Sequence, residues 1–231
     1  MGRQNGGLST PLYIEALEDG LIVVGGFSAD TYSYSYDAKT WTSYTNYSVR
    51  SLDKGERIYF RGTARQANML GYIATQGGKA HVGGNAMSLI YNADFANQNS
   101  LVGYDWAFVR CFQDNTNIES VDPTLLPATT LSALCYAQMF MGCTSLKAGP
   151  ILPAPVLTQN CYYQMYTDCT SLNYIKMLAT TPYDASTDME NWTSGVSSTS
   201  GTFVKHPNNT WIATNSVSGI PSGWTIQTAT S

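Results

Sequence analysis

Charged side chains are scarce in this sequence: Asp, Glu, Lys and Arg together make up 12% of its 231 residues. That is about half of the ~25% found in a typical soluble protein. The formal net charge is −4, and Lys and Arg form no run that would neutralise a phosphate backbone. We therefore expect no nucleic-acid partner.

Long apolar segments are also missing. No stretch approaches the ~18 apolar residues of a membrane-spanning helix, so we expect no membrane insertion. Residues 1–20 lack the apolar core of a secretory signal, and the chain starts with Met1. We expect a protein that reaches its place without secretion; the alternative is a secreted protein whose signal segment has been removed.

Histidine is rarer still. His81 and His206 lie far apart, and neither has a nearby cysteine or acidic pair. The five cysteines include no C-x-x-C pair of the kind that binds zinc, and no Gly-rich phosphate-binding motif is present. We therefore predict no metal site, no cofactor, no catalytic residues and no enzyme activity, and we interpret both histidines as surface residues.

Tyrosine and small polar residues are abundant instead. The chain has 16 Tyr and 20 Gly, and Ser, Thr and Asn are frequent. Its surface must then consist mainly of hydroxyl, amide and phenol groups. This composition is typical of extracellular or particle-forming β-proteins.

Short strands separated by glycine dominate residues 11–97. The segments LYIEAL and LIVVGG flank the tripeptide EDG, which predicts a hairpin with Gly20 at positive φ. TYSYSYD then alternates strictly, which places Tyr32, Tyr34 and Tyr36 on one face of a strand. We prefer core packing for that face, and ligand contact is the alternative. The whole pattern predicts a small antiparallel β-sandwich or barrel.

The run SYDAKTW resembles a shortened Asp-box, a hairpin turn found in sialidase propellers and in many unrelated β-proteins. One residue of the Ser-x-Asp-x-Gly-x-Thr-Trp pattern is missing, and Lys39 stands near the place of the Gly. The Asp of such a turn binds backbone N–H groups and has no catalytic role. We expect a hairpin around Asp37; a carbohydrate-active enzyme is the distant alternative.

The sequence repeats itself from about residue 97 onward. The segments CFQDNTNI, MFMGCTSL and MYTDCTSL align, and they begin at residues 111, 139 and 165. Three columns of side chains result: Phe112, Phe140 and Tyr166; Thr116, Thr144 and Thr170; Ile118, Leu146 and Leu172. Three successive units, spaced 28 and 26 residues apart, predict a solenoid.

Each unit is predicted to hold a short helix and an extended segment. In LSALCYAQMF, the apolar residues Leu131, Leu134, Cys135 and Met139 recur at three- and four-residue spacings, which is typical of a helix. GCTSL then turns the chain, and an extended segment follows up to Pro153. Such a short helix cannot bury its face alone, so it must stack on the next unit.

MFMGCTSL, followed by LPAPVL, and MYTDCTSL, followed by LATTPY, resemble the Phe-x-x-Cys-x-x-Leu coil of the BspA-like, or Treponema pallidum type, leucine-rich repeats. The resemblance covers roughly residues 100–178, and the first unit departs from it at Asn115, which replaces the Cys. It implies coils with a short helix and a strand, in bacterial surface adhesins or phage-borne relatives that bind hosts. PLYIEALEDG and GTFVKHPNNTWIATNSVSGIPSGWTIQTA are similar to the flanks of such proteins in gut Bacteroidales and their phages.

Four regions follow from these patterns. We predict an N-terminal tail or anchor at 1–10, a β-sandwich-like module at 11–97, BspA-like repeats at 98–178 and a C-terminal cap at 179–231. The predicted fold class is α+β and β-rich, with a small antiparallel β-module, a short leucine-rich-repeat solenoid of about three coils, and the cap. Stacked coils would bring Cys135 onto Cys161 and Cys143 onto Cys169 as core residues, with disulfide bridges as the alternative.

Tyrosines are the candidate binding residues, because their rings offer contact area and a hydrogen-bonding tip at little entropic cost. The family coil implies that Leu172, Ile175 and Met177 point into the core while the residues between them face outward. The predicted ligand-binding residues are Tyr162, Tyr163, Tyr166, Tyr174 and Lys176.

The expected function is that of a non-catalytic structural and binding protein on a phage virion, as a head or tail fibre. Its partners would be a host cell-surface protein or glycan, other virion proteins and further copies of itself. The alternative is a bacterial cell-surface adhesin.

Overall fold

The computed structural model describes residues 9–26, 32–43, 49–63, 71–180, 185–197, 199–214 and 218–230. Most of the predicted N-terminal tail, residues 1–8, lies outside the described residues. The described strands are β1 Leu12–Ala16, β2 Leu21–Gly25, β3 Tyr32–Ser35, β4 Thr42–Ser43, β5 Val49–Leu52, β6 Arg57–Gly62, β7 Ile73–Gln76, β8 Ala80–Gly83, β9 Ile118–Val121, β10 Ala148–Leu152, β11 Tyr174–Met177, β12 Thr202–Lys205 and β13 Thr225–Thr228. The helical segments are α1 Ser88–Tyr91, which continues as a 3₁₀ helix over Asn92–Asn97, and α2 Ala185–Asp188.

Two sheets built mainly from antiparallel strands enclose the N-terminal core. Six strands pair in the order β4-β3-β6-β1-β8-β9, and three in the order β5-β2-β7. Apolar residues from both sheets, among them Ile14, Phe60, Val23 and Leu52, belong to one buried cluster. The predicted β1–β2 hairpin is wrong, because β1 pairs with β6 and β8 while β2 pairs with β5 and β7. Gly20 does adopt a positive φ of 75°, in the turn that leads from one sheet to the other.

A parallel sheet of four strands, in the order β10-β11-β12-β13, forms the C-terminal half. Its first strand lies beside β9, because the Lys147 N–H donates to the Glu119 carbonyl (3.3 Å) and the Ile151 N–H to the Pro123 carbonyl (3.0 Å). Strand β9 in turn pairs in parallel with β8. Backbone pairing therefore crosses the position of the predicted boundary at residue 97.

Runs of turns replace the helices expected in the repeats. We call residues 104–114, 133–142, 159–168 and 188–195 turn rows 1 to 4. In row 2 the backbone φ is positive at every fourth residue: Leu134, Gln138 and Gly142 have values of 55°, 55° and 75°. A right-handed helix of L-residues does not tolerate such a pattern.

Neighbouring turn rows are joined by their backbones. Alternate N–H groups donate to the next row, as from Tyr136 to the Cys161 carbonyl (3.0 Å) and from Phe140 to the Met165 carbonyl (3.0 Å). The N–H groups between them close turns within the row, as from Ala137 to the Leu134 carbonyl (3.2 Å). Every second amide in a row is thus a link between units.

The predicted fold class, α+β with a helix-bearing leucine-rich-repeat solenoid, is therefore wrong. The described chain consists mostly of strands and turns in three sheets, and its helical segments are confined to 88–97 and 185–188. A turn row returns to the same face every four residues, so Cys135 and Met139 are both buried. That spacing is close to the 3.6-residue helical period, which explains the wrong prediction.

Aromatic side chains fill the space inside the turn rows. Trp192, which is fully buried, lies at the end of two columns of rings and contacts the last ring of each, at 6.4 and 6.0 Å between centroids. Within the columns the rings stack at 5.5–6.1 Å; the columns are Phe108, Tyr136 and Tyr162, and Phe112, Phe140 and Tyr166.

Specific side chains hold both ends of the rows. At the first end, Asn115 donates to the Ile73 carbonyl of β7 (2.6 Å) and accepts from the Thr75 N–H (2.8 Å). At the other end, the Asn191 N–H donates to Ser218 Oγ (3.1 Å) and Trp192 Nε1 to the Gly219 carbonyl (3.0 Å). Side chains thus take part in the bonding at both ends.

Candidate functional site

The five cysteines are buried and unbridged, which confirms their interpretation as core residues. Burial raises the pKa of Cys111, Cys143 and Cys161 to about 12, so their thiols are protonated and poorly nucleophilic at neutral pH. In the described part of the chain, no three His, Cys, Asp or Glu side chains are grouped as metal ligands. The cysteines therefore contribute to packing.

Two of the five predicted ligand-binding residues cannot reach a ligand. Tyr162 and Tyr166 are 1% and 0% exposed, and burial raises the pKa of both hydroxyls well above the usual value. Their rings stack on Tyr136 and Phe140 of the preceding row. Both side chains therefore belong to the core, and we remove them from the candidate site.

The other three predicted residues are half-buried: Tyr163, Tyr174 and Lys176. Tyr163 lies in turn row 3, whereas Tyr174 and Lys176 lie on β11. On that strand the predicted alternation is confirmed by burial, since Ile175 and Met177 are 0% exposed. The outer face of the parallel sheet is thus the surface on which Tyr174 and Lys176 lie together.

A groove of about 620 Å³ crosses this face where β11, β12 and β13 begin. Tyr174 pairs in register with Thr202, and Thr202 with Thr225, so the three side chains form one row. No charged side chain lines the groove, whose hydrogen-bonding side chains are hydroxyls, a phenol and an amide. Its lining consists of Asn173, Tyr174, Thr199, Ser200, Gly201, Thr202, Gly223 and Thr225.

A buried tryptophan supports this groove from below. Trp224 is 6% exposed and donates from Nε1 to the Ser197 carbonyl (2.8 Å). A Cβ atom on Gly201 would lie 2.4 Å from the Trp224 ring, so only glycine fits at that position. The groove therefore has a fixed floor.

An ion pair joins β9 to the residue before β10. Lys147 binds Glu119, and this hydrogen bond, together with the charges of Lys147 and Lys79, lowers the pKa of Glu119 below its usual value despite some burial. The Lys147 side chain is 61% exposed, so the pair adds little to stability.

A polar network on the outer face of the six-stranded sheet was not predicted: His81, interpreted from the sequence as a surface residue without an acidic partner, is half-buried and contacts Asp122. His81 on β8 contacts Ser120 Oγ through Nδ1 (2.8 Å) and Asp122 Oδ1 through Nε2 (3.2 Å). The second oxygen of Asp122 accepts from the Gly84 N–H (2.8 Å) and from the Tyr13 hydroxyl (3.4 Å). Burial alone would raise the pKa of Asp122, but these hydrogen bonds and the His81 charge lower it.

Ser120, His81 and Asp122 are the residue types of a hydrolase triad, yet here they join strands. The two imidazole nitrogens contact Ser120 on β9 and Asp122 directly after it. The Asp122 carboxylate also accepts from Tyr13 on β1 and from Gly84, which follows β8. His81 and Asp122 are 41 residues apart, so no local motif predicts the contact. Only knowledge that β8 pairs in parallel with β9 would have predicted this contact.

The turn around Asp37 has the predicted form. Strands β3 and β4 pair as a hairpin, and Asp37 Oδ1 accepts from the N–H groups of Thr40 (2.7 Å) and Lys39 (2.8 Å). These bonds, with one from Ser35, lower the pKa of Asp37. The Asp37 carboxylate thus stabilises the turn in which it lies.

Compared with protein-family models, curated proteins and solved structures, the chain matches none of them. Every helix in the described part of the chain is too short or too polar to span a bilayer. Its function must therefore be inferred from its own surface chemistry.

Proposed function

We propose that this protein is a non-catalytic, surface-displayed binding protein, and that the groove beside Tyr174 contacts a neutral glycan. The uncharged, hydroxyl-rich lining of the groove is the observation that carries this proposal. A neutral sugar presents many hydroxyl groups that need partners, and one apolar ring face that packs well on an aromatic side chain.

The sheet gives this groove the regularity that a chain of sugars needs. Thr202 and Thr225 repeat at the strand spacing of about 4.8 Å beside the Tyr174 ring. Lys176 lies two residues along β11 and is the nearest predicted residue with a charge. A ligand laid across the strands would meet the tyrosine first and the hydroxyl row next.

We place this activity on a phage virion appendage, as a head or tail fibre. The low charge, the hydroxyl-rich composition and the resemblance of the repeats and flanks to phage-borne surface proteins support this location. The proposed partners are host cell-surface glycans or proteins, other virion proteins and further copies of the chain. A bacterial cell-surface adhesin is the alternative; neighbouring capsid or tail genes would favour the fibre, and a lipoprotein operon the adhesin.

A glycan array tests the groove. Tyr174→Ala removes the ring, and Thr202→Val removes one hydroxyl at constant shape. We expect Tyr174→Ala to weaken binding to neutral glycans about tenfold or more, which is typical of an aromatic contact at the centre of a site.

Tyr72→Ala is the matched control, because Tyr72 is 40% exposed and does not line the groove. It should bind the same glycans as the wild type. If Tyr174→Ala and Thr202→Val bind every neutral glycan as the wild type does, the groove is not the binding surface.

A further inference from the structure

We infer that a second saccharide site lies in the recess between Tyr36 and Tyr59, where β6 and the end of β3 meet β5 and the turn after it. The recess has a volume of about 590 Å³, within the ~300–1,000 Å³ of small-molecule sites. Its lining consists of Tyr36, Ser51, Gly55, Glu56, Arg57 and Tyr59. This inference is independent of the groove beside Tyr174.

Both tyrosine rings in the recess are held in place by other side chains. Tyr36 is 53% exposed and packs edge-on against Tyr34, with 5.9 Å between ring centroids. Tyr59 lies against Tyr13 at 5.6 Å. Each ring thus has one aromatic neighbour, and the exposed part of the Tyr36 ring is available for stacking on a ligand.

The polar groups of the recess are equally fixed. Arg57 donates from Nε and Nη2 to one oxygen of Glu15 (2.6 Å each), and its guanidinium lies 4.4 Å from the centroid of the Tyr13 ring. Glu56 Oε2 accepts from the Asp53 N–H (2.9 Å). A planar donor and a carboxylate thus face the same space at set positions.

Gly55 leaves that space open. Its φ is +85°, and a Cβ atom built on it would meet no atom within 4 Å. Its N–H donates to the Ala16 carbonyl (2.8 Å), which ties this part of the rim to β1. The wall beside Glu56 is therefore backbone, which lets a ring approach closely.

The charges select a neutral ligand. Among the described residues Arg57 is paired with Glu15, whereas the Glu56 carboxylate of the lining has no ion-pair partner. The Arg50 guanidinium acts on the Tyr36 side of the recess instead. An acidic sugar would bring a second negative charge to Glu56, which is unfavourable. Vicinal hydroxyls of a neutral sugar can instead donate to Glu56 and accept from Arg57 while the ring stacks on a tyrosine.

Glycan arrays of wild type, Tyr36→Ala and Glu56→Gln test this site, with each hit checked by calorimetric titration of the free oligosaccharide. We expect a set of neutral glycans whose affinity falls about tenfold in both variants and is unchanged in Tyr174→Ala. Tyr36 is mostly exposed, so its truncation should leave the fold intact, and an unchanged thermal midpoint would verify this.

Three results would overturn the inference: no neutral glycan whose binding is lost in Tyr36→Ala, full binding by Glu56→Gln, or tighter binding of a sialylated glycan than of its neutral parent. The proposals for the groove and for the recess can be refuted separately. Loss of binding in Tyr174→Ala alone supports the groove and rejects the recess, and loss in Tyr36→Ala alone does the reverse.

Discussion

The substitution Asn115→Cys tests how the first repeat unit is attached to the N-terminal sheets. Cys143 and Cys169 occupy the same column in the next two units, so the change makes the repeats more alike. In those units the thiol donates to a carbonyl of the preceding row, as from Cys143 to Phe112 (3.1 Å). We nevertheless expect Asn115→Cys to destabilise the protein.

The magnitude follows from the three hydrogen bonds of the amide. Asn115 is 2% exposed; its Oδ1 accepts from the N–H (2.8 Å) and the hydroxyl (2.5 Å) of Thr75, and its Nδ2 donates to the Ile73 carbonyl (2.6 Å). A cysteine at this position leaves two buried backbone groups without partners, and each such group costs about 1–3 kcal/mol. We expect the free energy of unfolding to fall by about 3 kcal/mol.

Urea unfolding followed by tryptophan fluorescence measures this loss. The urea midpoint should fall, while the dependence of the unfolding free energy on urea concentration stays constant because the surface exposed on unfolding is nearly the same. Thr75→Val is the control: it removes only the hydroxyl and should cost about 1 kcal/mol. If Asn115→Cys unfolds within about 0.5 kcal/mol of the wild type, the amide is not the link that we describe.

Three further substitutions probe the core and the polar network. The Tyr166 hydroxyl is buried without a partner among the described residues, so Tyr166→Phe should keep or raise stability, by up to about 1 kcal/mol in thermal unfolding; a clear loss would mean that the hydroxyl is bonded. Gly149→Ala would place a Cβ 2.4 Å from that hydroxyl oxygen and cost about 1–3 kcal/mol, part of which the double variant with Tyr166→Phe should recover. The lowered pKa of Asp122 stabilises the fold above the unfolded pKa, and this contribution is lost as the pH falls through the folded pKa. The urea midpoint should therefore fall less between pH 5 and pH 3 in Asp122→Asn than in the wild type. An equal fall of the midpoint in both proteins would refute the role of Asp122.

Local patterns in the sequence predicted local features well. The Asp37 turn and the buried cysteines were predicted from the residues themselves, and the resemblance to the family coil implied that Ile175 and Met177 point inward, as they do. These features depend on residues close in sequence or on the polarity of one side chain. Four-residue turns and a helix, however, bury nearly the same positions, so hydrophobic spacing alone gave the wrong secondary structure for Cys135 and Met139.

Long-range pairing was beyond the reach of those patterns. LYIEAL and LIVVGG have the signature of a hairpin, but the two strands belong to different sheets. Strand β1 pairs with β6 and β8, and β2 pairs with β5 and β7. The contacts of His81 with Ser120 and Asp122 and the recess between Tyr36 and Tyr59 depend on the same kind of pairing. Tyr162 and Tyr166 were misplaced because an aromatic repeat looks alike whether its rings stack inside or outside the rows.

The alternating amides of the turn rows make the middle of the chain tolerant of duplication. A row such as 133–142 presents donors to one neighbour and acceptors to the other through its backbone alone, whatever its side chains are. An additional 26-residue unit inserted between rows 2 and 3 would therefore find complete bonding on both sides. The ends lack this freedom, because Asn115 and Ser218 each fit one particular neighbour. Relatives of different length should thus vary in the number of middle units and keep both terminal segments.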